Sequence, residues 1–185
     1  TPAAVTVKAD SKTKKFGEAD PELTATVTGV VDSYKIAYTV ARAAGENVGE
    51  YAITASGAAV QGNYTVTYEV GKLTITAANT LTLTADVTGE DAKKVYDGNA
   101  LTGGATASVS EETTVSYSTD GGTNWTTEVP SITNVGKVNV KAKAENPNYV
   151  TAETEYTLEV TPAAVTVKAD SKTKKFGEAD PELTA

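Results

Sequence analysis

Ala4-Val5-Thr6-Val7-Lys8-Ala9-Asp10 alternates apolar and polar residues with period two, the pattern of a strand that lays one face on a core. The same seven residues return as Ala164 to Asp170, inside a longer copy: Thr161 to Ala185 repeats Thr1 to Ala25 without a change. The sequence therefore reads as one 160-residue unit followed by the start of another. An unaltered copy points to recent duplication within a tandem array, whose general use is to supply length or multiplicity. A second copy of the opening segment appended to a single unit is the other account.

A fainter echo lies inside the unit. Val5-Thr6-Val7-Lys8-Ala9-Asp10 lines up with Leu81-Thr82-Leu83-Thr84-Ala85-Asp86, and Lys14-Lys15-Phe16 with Lys93-Lys94-Val95. Asn47-Val48-Gly49 answers Asn134-Val135-Gly136, Asn63-Tyr64 answers Asn148-Tyr149, and Leu73 to Thr76 answers Leu158 to Thr161. The order is kept while the offset drifts, as loop insertions between related modules would produce. The expected organisation is a first β-module over residues 1–77, a second over 78–160, and the beginning of the next copy over 161–185.

Alternation between turn signals predicts strands at Ala4–Ala9, Leu23–Gly29, Tyr34–Val40, Glu50–Ala55, Tyr64–Val70 and Leu73–Thr76 in the first module. In the second it predicts Thr80–Val87, Ala105–Val109, Thr114–Ser118, Val138–Ala144 and Thr154–Val160. Gly and Asx-rich turns such as Asp20-Pro21, Gly62-Asn63 and Asp120-Gly121-Gly122 punctuate them. The fold expected is all-β: two tandem small β-sandwich (Ig-like) modules in an elongated rod, plus the first strand region of the next repeat. Neither Thr76-Ala77-Ala78-Asn79 nor Val160-Thr161-Pro162-Ala163 is a Gly/Ser tether, so little hinge freedom is expected. Strands of eight to ten residues along the axis make each module roughly 30 Å long.

Composition narrows the chemistry. A formal charge of −8 with 16 scattered Lys and Arg repels phosphate backbones and anionic bilayers, so neither nucleic acid nor membrane insertion is expected. No apolar run approaches the roughly 20 residues that span a bilayer. Cys, Met and His are absent, so disulfides, thiolate or imidazole metal sites and imidazole-assisted nucleophiles are absent too. Only carboxylate chemistry is left, as in Glu18 with Asp20, Glu90 with Asp91, or Glu111 with Glu112. These pairs sit in turn-like stretches, where solvated charge is the plain account; neither an enzyme nor a cofactor is expected. Calcium would need alternating oxygen ligands, for which Glu90-Asp91 and Asp97 with Asn99 are the only hints. Lys8, Lys93, Asn63 and Asn148 are candidates for Lys–Asn cross-links, a bond that spacing cannot establish.

Ser118-Thr119-Asp120-Gly121-Gly122-Thr123-Asn124-Trp125 resembles the Asp-box hairpin, with Asn124 where Thr is usual. There Asp120 caps amides of its own turn and Trp125 packs beneath it, so Ser118, Asp120, Gly122 and Trp125 are expected to be structural. Trp125, Tyr96 and Tyr149 are the candidates for ligand contact.

Lys14 to Leu23, Gly45 to Tyr51, Gly62-Asn63-Tyr64 and Gly71 to Ile75 together resemble the MBG-type repeat of large bacterial surface proteins, with Phe16 in place of the usual Tyr. The second module, through Val95-Tyr96-Asp97-Gly98 and Asn146-Pro147-Asn148-Tyr149, is similar to the Tyr-Asp-Gly variant of bacterial Ig-like repeats. The resemblance implies a tandem module of an extracellular, wall-attached or secreted adhesin-like protein, with no catalytic residues to carry over. A stalk or fibre-building role is expected, or multivalent binding of a host glycan, mucin or protein. The expected partners are neighbouring repeats, and also other copies, through head-to-tail exchange of 161–185 for 1–25.

Overall fold

The computed structural model describes residues 1–185 and divides them between two separate apolar cores. The first module has eight strands: β1 (Ala3–Ala9), β2 (Lys12–Lys15), β3 (Ala25–Thr28), β4 (Thr39–Arg42), β5 (Gly49–Ser56), β6 (Val60–Gln61), β7 (Tyr64–Glu69) and β8 (Gly71–Thr76). They form two four-stranded sheets, β3-β1-β7-β6 and β2-β8-β5-β4. The chain changes sheets at Asp10-Ser11: β1 runs parallel to β7, and β2 runs parallel to β8. The alternation read from the sequence sets the faces. Val5, Val7 and Ala9 are buried against Ile53, Leu73 and Ile75 of the opposite sheet, while Lys8 is exposed. Full burial of each such aliphatic side chain contributes about 1.5–3 kcal/mol.

The second module repeats this plan with a longer crossover. Its strands are β9 (Leu83–Ala85), β10 (Lys93–Val95), β11 (Leu101–Thr102), β12 (Ala105–Ala107), β13 (Thr114–Ser118), β14 (Ser131–Ile132), β15 (Gly136–Glu145) and β16 (Ala152–Thr161). One sheet, β10-β16-β15-β13, is complete; β12-β9 and β11-β14 are two-stranded. The antiparallel pairs β5/β8 and β15/β16 keep the same register: Gly49 faces Ile75 as Gly136 faces Val160, and Tyr51 faces Leu73 as Val138 faces Leu158.

Several strands differ from the expectation. The expected strand Tyr34–Val40 begins only at Thr39, because the buried side chain of Gln61 pairs with Ala37 in place of a ladder, accepting from its N–H at 2.8 Å and donating to its carbonyl at 2.8 Å. The expected strand Thr80–Val87 shrinks to Leu83–Ala85, and Leu23–Gly29 to Ala25–Thr28. β2 and β10, both lysine-rich, show no alternation and are strands through their parallel partners. Ladder partners also shift the internal alignment by one residue: Lys14 pairs with Ile75 as Lys94 pairs with Val160, so Phe16 corresponds to Tyr96, not Val95. Both aromatics donate their N–H to the carbonyl of the last residue of the neighbouring strand, Thr76 of β8 and Thr161 of β16, at 2.8 Å. Residues 162–185 form no strand, since the β7 and β8 counterparts that would pair with them lie beyond the copied segment.

Candidate functional site at the module junction

β8 ends at Thr76, and two residues later the backbone of Ala78 is already held by the second module. Its N–H donates to the Asn148 carbonyl at 3.0 Å and its carbonyl accepts from the Val150 N–H at 2.7 Å. The short link thus becomes a bridge of ladder to the Asn148–Val150 turn.

Asn148 closes the joint. Its side-chain Oδ1 accepts from the Val48 N–H at 2.9 Å, and its Nδ2 donates to Asn47 Oδ1 at 3.1 Å, two contacts across the module boundary. Asn146 orients the turn: its Oδ1 accepts from the Asn148 N–H at 2.9 Å while its Nδ2 donates to the Glu111 carbonyl and to Thr113 Oγ1. Asn148 is only 5% exposed, so losing its partners leaves a polar group out of water, which costs about 1–3 kcal/mol. Beside it Phe16 meets Tyr149 edge to face at 5.4 Å between centroids. Such aromatic pairs are worth about 0.5–1.5 kcal/mol beyond the area they bury. Lys15 Nζ also reaches Asn79 Oδ1, at 3.4 Å. A cleft of about 310 Å³ opens beside the joint, with Glu111 and Glu112 among its walls.

The loop that carries Asn47 and Val48 is fixed from the first module's side. Lys14, whose side chain is 4% exposed, donates to Asp20 at 2.8 Å, to Glu46 at 2.6 Å and to the Glu18 carbonyl at 3.1 Å. Arg42 clamps the same two carboxylates, approaching Asp20 at 2.6 Å and pairing with Glu46. Hydrogen bonds from Arg42 and then Lys14 hold the Asp20 carboxyl at about 2, and Lys14 and Arg42 likewise lower Glu46. Asp20 thereby serves as a counter-ion; Glu18 accepts from the Lys15 N–H at 2.8 Å in the same turn. In the second module the corresponding Lys94 has one carboxylate, Asp97, at 2.5 Å.

The hairpin motif lies elsewhere, on the second module. Asp120 accepts from Ser118 Oγ at 2.7 Å and from the N–H groups of Thr123 and Asn124 at 3.0 and 2.9 Å. These bonds, the Asn124 N–H foremost and Ser118 next, hold its carboxyl well below the usual range. Ser118 Oγ accepts from the Gly122 N–H at 2.8 Å, and Trp125 Nε1 donates to the Gly122 carbonyl at 3.0 Å. The half-buried Trp125 carries Lys143 Nζ over its ring at 4.8 Å and borders a cavity of about 350 Å³ lined by Asp120, Asn124 and Glu128. Of the other aromatic candidates, Tyr149 is half-buried in the joint, whereas Tyr96 is 43% exposed at the opposite end of its module.

The remaining candidates do not converge on one site: Lys93 borders a groove of about 300 Å³ and Asn148 the cleft at the joint. Glu90 lies 4.0 Å from Lys93 beside the 3-10 turn Gly89–Ala92, and Asp97 accepts from the Asn99 N–H at 3.0 Å. Asn148 gives its amide to Asn47 and Val48, and Lys8, Asn63 and Lys93 are exposed. No helix is long and apolar enough to cross a membrane.

Among solved structures the chain is similar to PcdhgB3 EC1-4 (11% identity over 88% of this chain and 50% of that one, TM-score 0.37). It is also similar to the N-terminal four Ig domains of Dscam1 (18% identity, 88% and 38%, TM-score 0.34) and to Sidekick-1 immunoglobulin domains 1-4 (9% identity, 88% and 49%, TM-score 0.38). The chain spans half or less of the length of each. No curated protein matches it. Residues 5–74 match the family model of the MBG domain, YGX type. That span runs from the first buried valine of β1 into β8, so the similarity to the MBG domain covers the first module of this chain.

Proposed function

We propose that this chain is a repeat unit of an extracellular bacterial surface protein, acting as a stalk or fibre-building spacer without catalysis. The observation that carries this reading is the joint: the second module takes up the chain at Ala78, two residues after β8, and is tied to the first by Asn148, in a sequence whose opening recurs unchanged at 161–185. A spacer needs defined length per unit, and ten-residue strands such as β15 and β16 supply roughly 30 Å each. Small-angle scattering from chains of one, two and three units tests it. The maximum dimension is expected to grow by a constant step, and compaction on adding units would refute the reading.

The copied segment supports the array. Asp170 accepts from Thr184 Oγ1 and its N–H donates to the Thr184 carbonyl at 2.9 Å, as Asp10 does with Thr24, and Gly177 holds φ +83° where Gly17 holds +82°. The turn geometry between Asp170 and Thr184 is therefore that between Asp10 and Thr24. Yet Val165 and Val167 are 84% and 77% exposed where Val5 and Val7 are 1% and 0%. The rest of a following repeat, or another copy by head-to-tail exchange, would cover them. Sedimentation that stays monomeric at high concentration would remove the exchange between molecules.

A second reading is a glycan- or mucin-binding module multiplied by repetition. The cavity beside Trp125 favours it, because an aromatic ring with Asp120, Asn124 and Glu128 around it suits a sugar's apolar face and hydroxyl rim. A glycan array with wild-type and Trp125→Ala chains decides: signal lost in the variant supports it, and no wild-type signal above background overturns it.

A further inference from the structure

The two modules carry equivalent turn asparagines and equivalent Asn-Val loops, and only one set is engaged. At the internal joint, the turn asparagine of the second module, Asn148, reaches the loop Asn47-Val48. Asn63 is the corresponding residue of the first module, since its carbonyl accepts from the Ala3 N–H at 2.8 Å just as that of Asn148 accepts from Ala78. Its side chain is exposed and makes no hydrogen bond within the chain. Asn134-Val135 is the corresponding loop of the second module, immediately before Gly136 as Asn47-Val48 is before Gly49, with the two glycines facing the equivalent ladder partners Val160 and Ile75. Val135 is 53% exposed; neither its N–H nor the Asn134 amide has a partner. One end of the unit thus carries the free asparagine, and the other carries the free acceptor-donor pair it would fit.

We propose that the joint between the second module and the following repeat is closed by the Asn63 of that repeat, its Oδ1 accepting from the Val135 N–H and its Nδ2 donating to Asn134 Oδ1. The inference rests on the tandem-array reading above and specifies the contact that repeats along it. The occupant is a second copy of this unit, whose opening residues are already joined to β16: β16 ends at Thr161, and Pro162-Ala163 then stand where Ala77-Ala78 stand after β8. The aromatic half of the joint is different. Tyr149 is open to Phe16, but Tyr64 is 2% exposed and covered by Tyr34 at 5.8 Å, so the amide contact carries the specificity.

Amide hydrogen exchange tests this directly on two chains: the present one, and the same chain continued through a complete following repeat. Val48, which donates to Asn148, is the internal standard. In the longer chain the Val135 N–H is expected to exchange about tenfold more slowly than in the shorter, the protection one such hydrogen bond confers. Asn63→Ala in the following repeat alone should abolish that protection, whereas Asn63→Asp, which keeps the acceptor oxygen, should retain it; Val48 should be unaffected by either. Equal Val135 exchange in the two wild-type chains would overturn the proposal, as would protection that survives Asn63→Ala. Scattering separates this from failure of the spacer reading: an unprotected Val135 in a chain that still lengthens by constant steps removes the lock alone.

Discussion

Gly71 and Tyr156 occupy one ladder position in two related modules, Gly71 opposite Ile53 and Tyr156 opposite Val140, and are as unlike as two residues can be. The reason is the crossover between sheets. In the first module Ala9 to Ser11 turns so tightly that a Cβ on Gly71 would lie 2.4 Å from the Ala9 carbonyl oxygen. In the second, the path from β9 to β10 is longer and swings out through the 3-10 turn Gly89–Ala92, and the space it vacates is filled by Tyr156, whose hydroxyl donates to the Gly103 carbonyl. A longer crossover loop, residues 86–92 against 10–11, is therefore read out as tyrosine against glycine at one ladder position. The lesson is that matched ladders do not imply matched cores.

Exchanging the two residues is the most severe way to break this comparison. Tyr156→Gly should destabilise the second module by about 3–5 kcal/mol, the range for deleting a buried aromatic. Trp125, the only tryptophan, lies in that module, so its fluorescence should report an earlier transition while the first module's calorimetric step stays. A joint shift of both would mean that the modules unfold as one unit. Gly71→Ala should cost about 1–3 kcal/mol through overpacking against backbone that cannot withdraw, and only in the first module. An unchanged melting profile would show that the crossover yields.

Asn148→Ala should cost about 1–3 kcal/mol by leaving the Val48 N–H and the Asn47 side chain without their partners across the joint. Asn63→Ala in the same chain should fall within about 0.5 kcal/mol of wild type, as a surface change. Equal effects of the two would erase the distinction between an engaged and a free asparagine. The last effect is a pH one. Burial foremost, then the charges of Tyr117 and Asp86, pushes the Tyr156 hydroxyl up to about 12. The folded state then holds a proton that the unfolded chain releases near its usual value of about 10, so stability is whole below that pH and falls as pH rises towards 12. Tyr156→Phe should remove this alkaline slope from the second module, and a slope that remains would place its origin elsewhere.

Much of this was legible in the sequence. Val5-Thr6-Val7 and Leu73-Thr74-Ile75 announce their faces by alternation, and the glycines and Asx residues mark most of the turns. What escaped was decided at a distance. Lys12-Thr13-Lys14-Lys15 offers no apolar stripe, and becomes a strand because β8 supplies its ladder while Asp20 and Glu46 neutralise Lys14. The lysine doublets suggested an alignment one residue off, since ladder position and not residue identity fixes equivalence. The match of Asn63 with Asn148 was visible, yet the role of Asn148 was not, because its partners lie 100 and 101 positions away on another module.

The bridge at Ala78 has a consequence for resistance to proteolysis. A protease must draw several residues of backbone into its own cleft in extended form, and boundaries between domains are ordinarily where it succeeds. Here the Ala78 peptide already has both its donor and its acceptor engaged by the Asn148–Val150 turn, so limited proteolysis is expected to cut the exposed loops before this boundary.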